Sequence, residues 1–386
     1  LSGNNFTVSN NFLGGTAPSC GGTAYTVSST GSVIFRGIFI SVDLTTASNI
    51  TGNTVRNISL TPVTTSTSQG AFSILNGWVN VNNNIIGSQS ATGSITFSTT
   101  SSNAMFSGIF AGSGSANGNI TISGNSIGGI TVTGTGTPSF RGITFQSSGI
   151  TSTTQYTVTN NTIGSLTTAN SIQNTANAGV FGIVGAAAQT TSLNLISGNT
   201  IANLTSTSTS TGTAAAVTGI ASAGSTGGYY TVLNNTIRNL SASSAPTAAG
   251  TINVLGISHT AATRAGQNIS RNTIYALTAA TTAAQSPSVI GIYYSGPTSG
   301  TNVVERNLVY NLTNSATGAS AKCCNVSVSC VNRRMLTHMP CGLTGGMTAH
   351  NRDPSRSRAS TIGDTRSRRL PSGSKIRSTI ACSSPG

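Results

Sequence analysis

Few residues in this 386-residue chain can do acid–base, nucleophilic or metal chemistry. It holds four carboxylates (Asp43, Glu305, Asp353 and Asp364), three histidines and six cysteines. Hydrolysis of a glycosidic bond ordinarily needs two carboxyl groups facing each other across the sugar. Calcium needs several oxygen ligands, mostly carboxylates. Only Asp43 and Glu305 precede residue 322, and they are too distant in sequence to share a local motif. Asp43, in S-V-D-L-T-T, reads as a turn carboxylate, and Glu305, beside Arg306, as a solvent-facing charge. His259, in G-I-S-H-T, has no Asp or Cys nearby to orient it, and no G-x-S-x-G elbow is present. The expectation is that residues 1–321 carry no catalytic, cofactor-binding or metal-binding set.

The remaining candidates are contacts. Tyr229, Tyr230, Tyr293 and Tyr294 form two aromatic pairs whose faces could stack on sugar rings, with Tyr156 and Trp78 as further aromatics. Arg36 and Arg141 occupy equivalent places in a repeat and read as solvated strand residues three repeats apart. Thr-rich alternation such as T-V-T-G-T-G-T at 131–137 would order water only if the same register recurred on every repeat. These threonines are assigned mostly to loops of variable length, so no such array is expected. Sequons at Asn5, Asn49, Asn57 and Asn119 follow from a composition rich in Asn, Ser and Thr.

What must position these residues is a repeat. A nine-residue pattern recurs: a β-branched residue, two variable positions, Asn, any residue, an aliphatic, two variable positions and usually Leu or Ile. Copies include ITGNTVRNI (50–58), ISGNSIGGI (122–130), VTNNTIGSL (158–166), ISGNTIANL (196–204), VLNNTIRNL (232–240) and ISRNTIYAL (269–277). The aligned asparagines are Asn11, Asn53, Asn84, Asn125, Asn161, Asn199, Asn235, Asn272 and Asn307, at intervals of 31 to 42 residues. Midway between them recurs a Gly-Ile strand: FRGIFI (35–40), FSGIFA (106–111), FRGITF (140–145), VTGIAS (217–222) and VIGIYY (289–294). Short β-branched runs bounded by Asn and Gly favour strands and tight turns over helices. An Asn in the same turn of every repeat can bond the Asn above and below, satisfying turn amides that burial would otherwise orphan.

One repeat cannot stand alone. A handful of inward apolar side chains yields roughly 1.5–3 kcal/mol each. Ordering the backbone costs on the order of 1–2 kcal/mol per residue. Stacked copies share one core, so stability grows with copy number. The predicted fold is therefore all-β, a right-handed parallel β-helix of about eight to nine rungs over residues 1–321.

The I-S-x-N-T-I and G-I-x segments resemble the repeats of the pectin-lyase-like superfamily, over about residues 1–312. In particular the chain is similar to the long Thr/Ser/Asn-rich repeat proteins that bacteria export to their surface. The resemblance implies a β-helix at the cell surface or outside the cell. It also implies longer loops than usual, since the repeat exceeds the family's customary rung. Enzymes of that superfamily cleave acidic polysaccharides with clustered carboxylates, which this chain lacks.

Charge and cysteine divide the chain. Only 22 residues are charged. Residues 1–321 hold seven arginines against two carboxylates, a net of +5, and residues 322–386 hold eleven Lys or Arg against two, a net of +9. The basic character thus belongs to the tail and gives no reason to expect nucleic acid on the folded part. Cys20 is alone in the body, and the other five cysteines follow residue 322. The tail reads as disordered or as the product of a reading-frame shift. Cys330, His338, Cys341 and His350 fit no common zinc spacing. No apolar run reaches the length of a membrane span.

The function expected is a non-catalytic structural or adhesin-like segment of a larger bacterial surface or secreted protein, with glycans or other surface proteins as partners. A carbohydrate-binding or carbohydrate-cleaving β-helix and a phage tail-fibre segment are the alternatives. The sequence leaves the oligomeric state open.

Overall fold

The computed structural model describes residues 3–335, except 29–33, 64–67, 113–117, 148–153, 188–192, 211, 213, 215, 223–227, 247–250, 261–263, 282–287, 298–299, 318–321 and 331–332. It is an all-β parallel solenoid. Three sheets run along it, and each turn of chain contributes to all three.

Sheet 1 has nine parallel strands, from Thr7–Ser9 and Ser48–Thr51 through Val79–Asn82, Ile120–Ser123, Tyr156–Thr159, Leu193–Ser197, Tyr229–Leu233 and Asn268–Ser270 to Val303–Glu305. These are the β-branched segments before each Asn turn. Sheet 2 holds the aliphatic segments after the turn. In the early rungs the segment is two short strands, such as Ser126–Gly128 followed by Ile130–Thr133. From Thr200–Ser206 onward it is one bent strand, repeated as Thr236–Ala242, Thr273–Ala279 and Leu308–Asn314. Sheet 3 collects the Gly-Ile segments, including Arg36–Ser41, Ser68–Asn76, Met105–Ala111, Ser139–Ser147, Val180–Ala187, Val217–Ser222, Ile252–His259 and Ser288–Tyr294.

Alternate residues of each strand point inward, as the two-residue period of a strand demands. Ile50, Val81, Ile122, Val158, Ile196 and Val232 line the interior of sheet 1 and are fully buried. Ile86, Ile127, Ile163, Ile201 and Ile237 do the same for sheet 2, and Ile109, Ile143, Ile183, Ile220 and Ile257 for sheet 3. One core therefore runs the length of the stack.

The Gly of the Gly-Ile segment is set by proximity. A Cβ on Gly219 would lie 2.6 Å from the Gly256 carbonyl oxygen of the next rung and 2.7 Å from Ile237. Gly182 and Gly256 meet the same pair of neighbours one rung away. The close spacing between these rungs thus leaves no room for a side chain there.

The stack passes the expected boundary. Lys322–Cys330 pairs in parallel with Ser288–Tyr294, matching Val289 with Cys323 and Ile292 with Val326. The Gly-Ile sheet therefore continues through residues that contain no Gly-Ile pair, because pairing needs only extended backbone. Arg333–Met335 then turns back antiparallel on this strand. Residues 336–386, with His338, Cys341 and His350 of the zinc reading, lie outside the described residues. No helix among the described residues is long and apolar enough to cross a membrane.

Candidate functional site

The asparagines form one continuous ladder. The backbone N–H and the Nδ2 of Asn53 both donate to Oδ1 of Asn84, at 2.9 and 3.0 Å. The same double bond links Asn84 to Asn125, Asn125 to Asn161, Asn161 to Asn199, Asn199 to Asn235, Asn235 to Asn272 and Asn272 to Asn307. Asn11 joins at the other end through Asn53. From Asn53 onward each Nδ2 also reaches a carbonyl of the preceding rung, as Asn161 does to Ile122 and Asn199 to Val158, both at 2.9 Å. Asn53, Asn84, Asn125, Asn199 and Asn272 are wholly buried, so the ladder satisfies amides that water cannot reach.

The left-handed backbone of this turn falls one residue earlier than the ladder. Asn10, Gly52, Asn83, Gly124, Asn160, Gly198 and Asn234 have positive φ, and in the last two rungs Arg271 and Arg306 take that place. A second turn escaped the sequence reading. Asn57, Asn203, Asn239 and Asn311 have positive φ where the sheet 2 strand bends, and Asn239 Nδ2 donates to Asn203 Oδ1 at 3.3 Å. The signal was present, since Asn precedes Leu or Ile in each of those nine-residue copies.

The carboxylates stay apart. Asp43 accepts the backbone N–H of Leu44 at 2.6 Å, a local turn bond. Glu305 pairs loosely with Arg306 at 3.7 Å on the surface. Asp43 lies in the connection that leads to the second strand of sheet 1, and Glu305 ends the ninth. Seven strand spacings of ~4.8 Å separate them by about 34 Å. Among the described residues no group of three His, Cys, Asp or Glu side chains is placed to hold a metal.

His259 gains a partner that sequence proximity did not show. Its Nδ1 lies 2.8 Å from Ser222 Oγ, on the adjacent rung of sheet 3, and both side chains are buried. Tyr294 stacks on it from the next rung, with ring centroids 5.2 Å apart, and Tyr230 meets it edge-on at 5.8 Å. Among the described residues, Nε2 of His259 and the hydroxyl of Tyr294 meet no hydrogen-bond partner. Desolvation lowers the His259 pKa to about 4 and pushes the Tyr230 and Tyr294 hydroxyls up. A neutral imidazole beside a serine has the elements of a nucleophile and its base. Sealed in the core, this pair meets no substrate, and it acts as a packed polar link between rungs.

Each tyrosine pair is split by the strand period. Tyr230 and Tyr294 point inward and are 1 % and 2 % exposed, which removes them as sugar contacts. Tyr229 and Tyr293 face outward, half-buried, on sheets 1 and 3 respectively, so they form no common aromatic surface. Tyr156 is buried too, donating its hydroxyl to the Gln146 carbonyl at 2.6 Å. The outward aromatic pair is instead Tyr275 and Tyr310, stacked at 4.9 Å with planes 6° apart. They occupy the same position of successive nine-residue copies, which is how the sequence could have shown them. Arg36 and Arg141 are separated in their ladder by Gly70 and Ser107, and each lies over a phenylalanine, Phe39 and Phe181.

Compared with family models, with curated proteins and with solved structures, the chain gives no match.

Proposed function

We propose that this chain is a rigid, non-catalytic repeat segment of a larger bacterial surface or secreted protein, an adhesin-like stalk of the pectin-lyase-like β-helix kind. The observation that carries this reading is the disposition of its chemistry. Two carboxylates stand about 34 Å apart, each engaged locally. The described histidine is enclosed behind Tyr230 and Tyr294. Meanwhile the features that recur along the stack, the ladder asparagines and, on most rungs, the close-packed glycines, hold rungs together. Repetition of that kind produces length and stiffness.

The test is incubation of the full chain with a panel of acidic and neutral polysaccharides, assayed for new reducing ends and for unsaturated uronate absorbance. Neither signal is expected, and release of either product overturns the reading. A second reading, glycan binding without cleavage, draws support from the outward Tyr275–Tyr310 stack, in which Tyr310 is exposed and Tyr275 half-buried. A glycan array compared between the native chain and Tyr310→Ala separates it from the first.

A further inference from the structure

The outward side of the bent limb of sheet 2 carries a hydroxyl lattice that the sequence reading excluded. One column runs in register through Thr26, Ser59, Thr96, Thr131, Gln173, Thr205, Ser241, Thr278 and Thr313. Two residues further along each strand stand Ser28, Thr61, Ser98, Thr133, Thr175, Thr207, Ser243, Ala280 and Ser315. Backbone bonds carry the pairing into this second column, for example Thr207 N–H to Asn174 O and Ser243 N–H to Ser206 O. The threonines of 131–133 that were assigned to a loop lie on the strand Ile130–Thr133.

Sixteen of these eighteen positions are Ser or Thr and none is charged. A merely polar exterior would give all faces a similar mixture, and it does not. The equivalent outward columns of sheet 1 hold Ser or Thr at ten of eighteen positions and are broken by, among others, Asn49, Asn80, Leu195, Leu233, Val303 and Glu305. Sheet 3 turns out Phe39, Phe110, Val184 and Tyr293. The hydroxyl columns are therefore most continuous, and free of charge, on the sheet 2 side of the stack.

Its spacing suits one occupant. Tetrahedral water with O···O contacts of ~2.75 Å places second neighbours ~4.5 Å apart and repeats along the stacking axis every ~7.3 Å. Parallel strands set neighbouring hydroxyls ~4.8 Å apart along the stack, and residues i and i+2 stand ~6.7 Å apart across it. Three rungs depart from the lattice: Ser59 and Thr61 bond each other at 3.2 Å beside a shift of register, Gln173 replaces a hydroxyl and donates from Nε2 to Thr207 at 3.4 Å, and the buried Thr205 donates to Asn170 at 2.7 Å. The regular parts are Thr96 with Thr131, and Ser241 through Thr313, where Ala280 interrupts the second column. We propose that this face binds the surface of ice, its hydroxyls replacing lattice waters and its threonine methyl groups filling the gaps between them.

The test is slow freezing of a dilute solution of the full chain with an inert protein, followed by assay of both in the ice and in the remaining liquid. The native chain is expected to enrich in the ice. A triple variant, Thr96→Tyr, Thr131→Tyr and Thr278→Tyr, is expected to lose that enrichment. A control triple on sheet 1, Thr121→Tyr, Thr157→Tyr and Thr231→Tyr, is expected to keep it. Exclusion of the native chain along with the inert protein overturns the proposal, as does equal loss in the two triples or retention by the first. Circular dichroism melting is run on every variant, and if the triple is unfolded, Thr131→Tyr alone is expected to give partial loss, with full retention overturning the proposal. None of these outcomes touches the polysaccharide assays, so the two readings fail separately.

Discussion

At the scale of single residues, the most consequential is His259, because its burial fixes its protonation. An unfolded histidine titrates near 6.5, and in the folded core its pKa is lowered to about 4. A depressed histidine pKa means that the unfolded state binds the proton first. Full stability is therefore present above pH 6.5 and is lost progressively as pH falls from there toward 4. The loss amounts to about 3 kcal/mol at 1.36 kcal/mol per pKa unit. Melting temperature measured from pH 7 to pH 4 should show this decline, and His259→Phe should flatten it. A native chain whose melting temperature is unchanged across that range contradicts the assignment. Arg271 offers an opposite case. It holds positive φ where earlier rungs use Gly or Asn, a conformation that costs an ordinary L-residue roughly 1–2 kcal/mol. Arg271→Gly should stabilise by up to about 1 kcal/mol, the gain being reduced by the larger backbone entropy of glycine. Denaturant melts of the two proteins check it.

At the scale of elements, the ladder and the glycine row give contrasting predictions. Asn199→Ala removes the acceptor for two donors of Asn161 and leaves buried amides unpaired, each worth about 1–3 kcal/mol. Asn11 lies exposed in the first rung, where water can replace what is lost, so Asn11→Ala should cost well under half as much. Gly219→Ala places a methyl against a backbone carbonyl that cannot move without parting two rungs. Overpacking of this kind costs about 1–3 kcal/mol, read from the shift of the urea midpoint. These elements were legible in the sequence because the Asn and Gly recur at fixed offsets from β-branched residues, and recurrence identifies a rung. The loops between them do not recur, and neither does the strand Lys322–Cys330, whose residues share nothing with earlier copies except extended backbone. The tyrosine pairs were misjudged for a related reason. Adjacent residues look alike in sequence, yet a strand sends Tyr229 and Tyr230 to opposite faces, and only the register decides which. The Ser222–His259 contact spans 37 residues, one full turn of the stack, so sequence proximity could not reveal it.

At the scale of the whole molecule, the stack is held together along its length by repeated hydrogen bonds and one apolar core, with charge playing little part. The one ion pair among the described residues is exposed and loose. Stability should therefore change little between low salt and about 1 M, where exposed ion pairs are screened, and a large salt-dependent shift in melting temperature would point to electrostatics not accounted for. The central claim is that the asparagine ladder makes the rungs a single protected unit. Amide hydrogen exchange measured residue by residue tests it most directly. The N–H groups of Asn84, Asn125, Asn161, Asn199, Asn235 and Asn272, each donating to the next asparagine, should exchange as slowly as the core amides of Ile122 and Val158. Rapid exchange at these turns, with protection confined to the strands between them, would contradict it.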